Sequence, residues 1–65
     1  MKITICNKNE TIGDITLTFK KLRPAKKTYR KLVKRWKHNK VVDIPTHTMA
    51  LPASDISCIY LEMEV

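Results

Sequence analysis

Eleven Lys or Arg residues, and no Asp or Glu, lie between Lys20 and Lys40. Cationic side chains at this density can neutralise the phosphates of nucleic acid or bind another polyanion. The rest of the chain carries Lys2 and Lys8 against six acidic residues, so the net charge of +7 comes from this one segment. The pattern therefore predicts a local cationic surface and not a uniformly basic protein.

A helix is the element that would position these cations. Pro24 suits the first turn of a helix because its missing N–H needs no partner there, and Asn39 is a plausible stop, so we expect a helix over residues 24–38. At about 100° per residue, five residues share one apolar stripe: Ala25, Tyr29, Leu32, Val33 and Trp36. Seven cations fill the opposite face: Lys26, Lys27, Arg30, Lys31, Lys34, Arg35 and Lys37.

Such a face destabilises the helix unless something binds it. The seven cations form four like-charged pairs spaced i, i+4, and each pair costs about 0.2–0.5 kcal/mol. Lys26 and Lys27 are also predicted in the first turn, where the helix dipole disfavours a cation by about 0.3–1 kcal/mol. We therefore predict that the seven residues bind a polyanion. The alternative is a solvated basic face, or one partly neutralised within the fold by Asp43, Asp55, Glu62 and Glu64.

Nucleic acid, either DNA or RNA, is the predicted partner. The outward helix positions hold no Asn, Gln or Glu that would read bases, so backbone contact with little sequence specificity is expected. The alternative function is a protein–protein interaction module, an inhibitor or adaptor of the kind common in mobile genetic elements, whose basic face engages an acidic protein surface. Membrane binding is disfavoured because the strands need the apolar stripe for a core.

Tyr29 and Trp36 are the aromatic residues of the predicted helix. They could stack on unpaired bases, as aromatic residues do in proteins that bind single strands. Both fall on the apolar stripe, however, so we interpret them as core residues.

Alternating apolar residues predict strands on both sides of the helix. Residues 2–6 and 15–20 alternate, and the polar connection between them contains the only glycine, which predicts a hairpin with Gly13 at positive φ. After the helix, Pro45 interrupts a β-prone stretch, which predicts one interrupted strand or two short ones. The clearest strand follows, where residues alternate from Ile56 to Val65. We expect an α+β fold: a single compact domain spanning 1–65, ordered β-β-α-β-β, with one amphipathic helix packed on an antiparallel sheet.

The face assignment of the last strand predicts Ile59, Leu61, Met63 and Val65 on one side. If this strand lies at a sheet edge, its unpaired backbone could pair with a second copy, so a homodimer is an open alternative. Cys6 and Cys58 are expected to be free thiols in a reducing compartment. Adjacent first and last strands would nevertheless bring them within disulfide reach.

Residues that could support catalysis or metal binding are too sparse to predict either. Cys6, Cys58, His38 and His47 are zinc-ligand types, but none form the close pair that structural sites use. His47 has no nucleophile or acid at a recognisable spacing, and Asp14, Asp43 and Asp55 are predicted to be turn residues. We therefore expect no enzyme activity and no cofactor. No apolar run reaches the length of a membrane span and no signal peptide is visible, so a cytoplasmic location is expected.

Overall fold

The computed structural model describes residues 1–45 and 49–63. In chain order the elements are β1 (Lys2–Asn7), β2 (Ile15–Thr18), α1 (Leu22–His38), β3 (Val41–Ile44), β4 (Met49–Pro52), a 3₁₀ turn (Ala53–Asp55) and β5 (Ile56–Glu62). One helix combined with antiparallel strands confirms the predicted α+β class. The stretch interrupted by Pro45 forms two short strands, β3 and β4, which was one of the two arrangements expected for it.

The strands are distributed over two sheets. In the larger sheet β1 lies between β2 and β5, and both pairings are antiparallel; β3 and β4 form a separate antiparallel pair. Ile5 of β1 lies opposite Ile15 of β2 and Ile59 of β5, so the buried faces of the three strands coincide. The 3₁₀ turn lies between β4 and β5 and so connects the smaller sheet to the larger one.

The connection between β1 and β2 is a loop held by short-range hydrogen bonds. Gly13 has φ 75°, which confirms the predicted positive-φ position. Its N–H donates to the Asn9 carbonyl at 3.0 Å, and the Thr11 N–H donates to the Asn9 side chain at the same distance. At the base of the loop, the Asn7 N–H donates to Oδ1 of Asp14 at 3.0 Å. Asn and Asp side chains thus close the turn in the way typical of these residues.

Helix α1 begins two residues earlier than predicted, at Leu22. Pro24 is consequently the third helical residue, which it can occupy because the first four N–H groups of a helix have no intrahelical partner. This start places Arg23 in the first turn and moves Lys26 and Lys27 beyond it, so the predicted dipole penalty on those two lysines is wrong. The predicted stop is confirmed, because Asn39 is the C-cap and its N–H donates to the Arg35 carbonyl at 2.7 Å.

The core is formed by the inner faces of both sheets and the apolar stripe of α1, which lies over β5 and β3. Ala25 and Leu32 are fully buried, and the other stripe residues, Tyr29, Val33 and Trp36, pack against the core from its margin. The predicted stripe is therefore confirmed. The face predicted for the last strand is correct for Ile59 and Leu61. It is wrong for Met63, which is 61% exposed because β5 ends at Glu62, opposite Lys2 at the start of β1. Val65 lies outside the described residues.

Candidate polyanion-binding face

The seven predicted site residues lie along the middle and end of α1 and are called the basic face below. Six of them are exposed: Lys26, Lys27, Arg30, Lys31, Lys34 and Lys37. Arg35 is half-buried. The helix has 17 residues and is therefore about 25 Å long. The buried stripe orients the helix, so the basic face points away from the core.

The acidic residues of the fold do not neutralise the basic face in the part of the chain that the structure describes. Within residues 1–45 and 49–63, no carboxylate forms an ion pair with any of the seven cations. Asp43 lies on β3 and is exposed, so the turn predicted for it is wrong, whereas Asp55 does lie in the 3₁₀ turn. Glu62 is exposed at the end of β5, and Glu64 is outside the described residues. These cations are left available to an external anion.

Four further cations of the basic run flank the basic face. Lys20, Lys21 and Arg23 lie at the start of α1 and Lys40 just beyond its end, and all four are exposed. The N-cap Lys21 makes no side-chain capping bond, and no acidic residue lies in the first turn. The prediction of a site from helical periodicity omitted these residues because they lie outside the predicted helix. Their position in the same unbroken basic run was the signal that could have included them.

An open groove of about 370 Å³ runs along one flank of α1. Tyr29 and Val33 provide apolar surface, and the cationic or titratable residues Arg30, Lys34, Lys37 and His38 complete its lining. His38 was not among the predicted site residues, although it follows Lys34 by four positions and so shares its helix flank. The groove places apolar surface beside cations, an arrangement that can accept a planar or aliphatic group attached to an anion.

The two helix aromatics differ in how they are held. Nε1 of Trp36 donates to the Ala53 carbonyl at 3.2 Å, which ties the C-terminal half of α1 to the 3₁₀ turn. This contact agrees with the core interpretation of Trp36, since a buried indole N–H needs an acceptor. Tyr29 packs against the core as well, but it also lines the groove.

Neither a metal-binding cluster nor a membrane-spanning helix occurs within the described residues. No group of three or more His, Cys, Asp or Glu side chains is placed to hold a metal ion in that part of the chain. His47 lies outside it. The one helix described there is too short and too polar to cross a bilayer.

No family model, curated protein or solved structure matches this chain. A functional assignment therefore rests on the chemistry of the basic face itself.

Proposed function

We propose that the protein is a small non-enzymatic binding protein that docks its basic face on nucleic acid with little sequence specificity. The observation that supports this most directly is a row of six exposed cations on one helix, none of them ion-paired within the described residues. Phosphates placed along this row would relieve the repulsion between the cations and release condensed counterions, and both effects favour binding.

The composition of the basic face favours contact with phosphates over recognition of bases. Five of its residues are lysines and two are arginines. The lysine ammonium binds a phosphate as a point charge, whereas specific guanine contacts are most often made by the planar fork of arginine. Affinity should therefore depend on charge and salt much more than on sequence.

Salt titration tests this function. The protein would be titrated against fluorescent duplex and single-stranded oligonucleotides at several NaCl concentrations. If about four phosphates are contacted, the slope of log K against log salt is about −3.6 on duplex DNA, and affinity falls about a hundredfold between 50 and 200 mM salt. Two unrelated sequences should bind within about threefold of each other. Absence of binding at low salt, or binding that does not respond to salt, would contradict the proposal.

A charge-matched pair of variants makes the test specific to the helix. Replacing Lys31 by Gln should reduce the magnitude of the salt slope by about 0.9 on duplex DNA, since each lost phosphate contact accounts for about 0.9. Lys8→Gln removes a positive charge from the exposed β1–β2 connection instead. It should leave the slope close to that of the parent protein, and an equal effect of Lys8→Gln would mean that only net charge matters.

An acidic protein surface is the alternative partner, because carboxylates complement the same unpaired cations. Co-purification from cells, with and without nuclease, distinguishes the two partners. Nucleic acid recovered with the protein, and lost after nuclease treatment, supports the proposed function. A defined acidic protein that is retained after nuclease treatment supports the interaction module instead.

A further inference from the structure

The two cysteines lie directly opposite each other on neighbouring strands. Cys6 of β1 is the register partner of Cys58 of β5, and both thiols are free and half-buried. Directly opposed residues of antiparallel strands have Cα atoms about 4.5–5.5 Å apart. Disulfides span Cα separations of about 4.4–6.8 Å, so this register already meets the main geometric condition for a bond.

The side chains share the face of the sheet that points away from the core. Ile5 and Ile59, the adjacent register pair, are buried, and alternation along a strand directs the next pair to the opposite face. The strand pairing shifts register immediately after Cys6, which makes this end of the β1–β5 pair irregular. A bulge of this kind bends and twists the strand locally, so small adjustments of the two side chains are easier here than within a regular ladder.

The two thiols interact with each other. The pKa of Cys6 is raised to about 11, first by a hydrogen bond with Cys58, then by burial, and further by the charges of Cys58 and Asp14. Cys6 is therefore a neutral thiol at pH 7. Because the thiolate is the reactive form, Cys6 reacts slowly with oxidants and stays reduced unless an oxidant is supplied continuously. The register pairing independently places the two side chains opposite each other.

We propose that Cys6 and Cys58 form a redox modification site, at which a small-molecule disulfide such as oxidised glutathione converts the two thiols into a cross-strand disulfide. One cysteine, as its thiolate, attacks the oxidant and releases one glutathione. The second cysteine then attacks the resulting mixed disulfide and releases another. The protein loses two protons and two electrons, which reduce oxidised glutathione to two molecules of reduced glutathione. This site is independent of the proposed nucleic-acid function.

The new bond would close a loop that contains most of the chain, because Cys6 and Cys58 are far apart in sequence. A long closed loop restricts the unfolded chain strongly, so the oxidised protein should be more stable than the reduced one. The two strands pair in the structure with both thiols free, so we expect the reduced protein to fold without the bond.

Intact-mass measurement and peptide mapping test the site. Reduced protein would be incubated with oxidised glutathione at pH 8 and mapped without reduction. We expect a mass lower by two hydrogens, one peptide pair linking Cys6 to Cys58, reversal by dithiothreitol, and a melting temperature higher by about 5–20 °C. Protein that stays reduced, carries two glutathiones or forms a disulfide-linked dimer would overturn the proposal.

Single serine variants provide the matched controls. In Cys6→Ser and Cys58→Ser the second cysteine is missing, so each variant should retain one glutathione as a stable mixed disulfide. If the parent protein also retained glutathione under the same conditions, the second attack would not occur and the site would be rejected. The parent measurement needs no variant, so it remains decisive even if a serine substitution prevents folding.

Discussion

Gly13 is the residue whose identity depends most directly on the backbone. It adopts φ 75° in the β1–β2 connection, and a Cβ atom built there would meet nothing within 4 Å. The cost of a side chain at this position is therefore conformational and not steric crowding by neighbours. The left-handed conformation costs a residue with a Cβ atom about 1–2 kcal/mol.

Gly13→Ala should accordingly lower the free energy of unfolding by about 1 kcal/mol, measured by urea denaturation. Gly13→Asn should cost less, because Asn tolerates the left-handed region better than Ala does. Equal stability of the parent protein and Gly13→Ala would show that the loop relaxes to another conformation.

The sequence predicts the conformation and position of some residues better than those of others. The positive φ of Gly13 could be predicted from the conformational freedom of glycine. The core position of Trp36 could be predicted from its place in the helical repeat. Asp43 could not, because the same residue type suits a turn or the exposed side of a strand, and only the β3–β4 pairing distinguishes the two. The opposition of Cys6 and Cys58 likewise depends on pairing between segments about fifty residues apart.

At the scale of elements, the start of α1 is the least stabilised part of the helix. Lys21 has extended N-cap dihedrals but supplies no oxygen for the free N–H groups, and the first turn contains no acidic residue. Ser, Asp and Asn are preferred at this position because their side chains accept one of these N–H groups.

Lys21→Ser should therefore raise the free energy of unfolding by about 1 kcal/mol in chemical denaturation. Lys20→Ser removes the same charge one residue earlier, where a side chain cannot cap the helix, and serves as the control. A similar gain in both variants would assign the effect to reduced charge repulsion instead of capping.

Helix α1 was predictable because its apolar period and its Asn39 stop are local signals. Its first residue was not, because Pro24 is accepted at any of the first helical positions and so does not identify the start. The two short strands β3 and β4 were expected only as one of two arrangements, since Pro45 signals an interruption without indicating whether a second strand begins after it.

At the scale of the whole molecule, the net charge of +7 comes from one segment, residues 20–40, which contains α1. The basic face contains four like-charged i, i+4 pairs, and its cations make no ion pair within residues 1–45 and 49–63. Repulsion between exposed charges is screened by salt, so it should be measurable as a salt-dependent stability.

Raising NaCl from 10 to 500 mM should increase the free energy of unfolding by about 1 kcal/mol. Lys31→Glu converts two repulsive pairs, with Lys27 and Arg35, into attractive ones, and should make the protein more stable at low salt and less responsive to added salt. Lys8→Glu makes the same charge change off the helix. If it reproduced the effect, the repulsion would be spread over the molecule and not localised on α1.

A homodimer through the last strand, which the sequence left as an open alternative, stays untested. Within the described residues β5 is an edge of the three-stranded sheet, which is the position that this mode of pairing requires. The other edge is β2, so the larger sheet has two strands whose outer backbone is unpaired in that part of the chain.

The sequence by itself determined the α+β class, the amphipathic helix, the inner faces of β1 and β2 and the Gly13 turn, because each depends on residues within a few positions of one another. The tertiary structure alone decided the division into two sheets, the register that opposes the cysteines, and the lack of acidic partners for the basic face in the described residues. These features depend on which distant segments pair, and local patterns of polarity do not specify that choice.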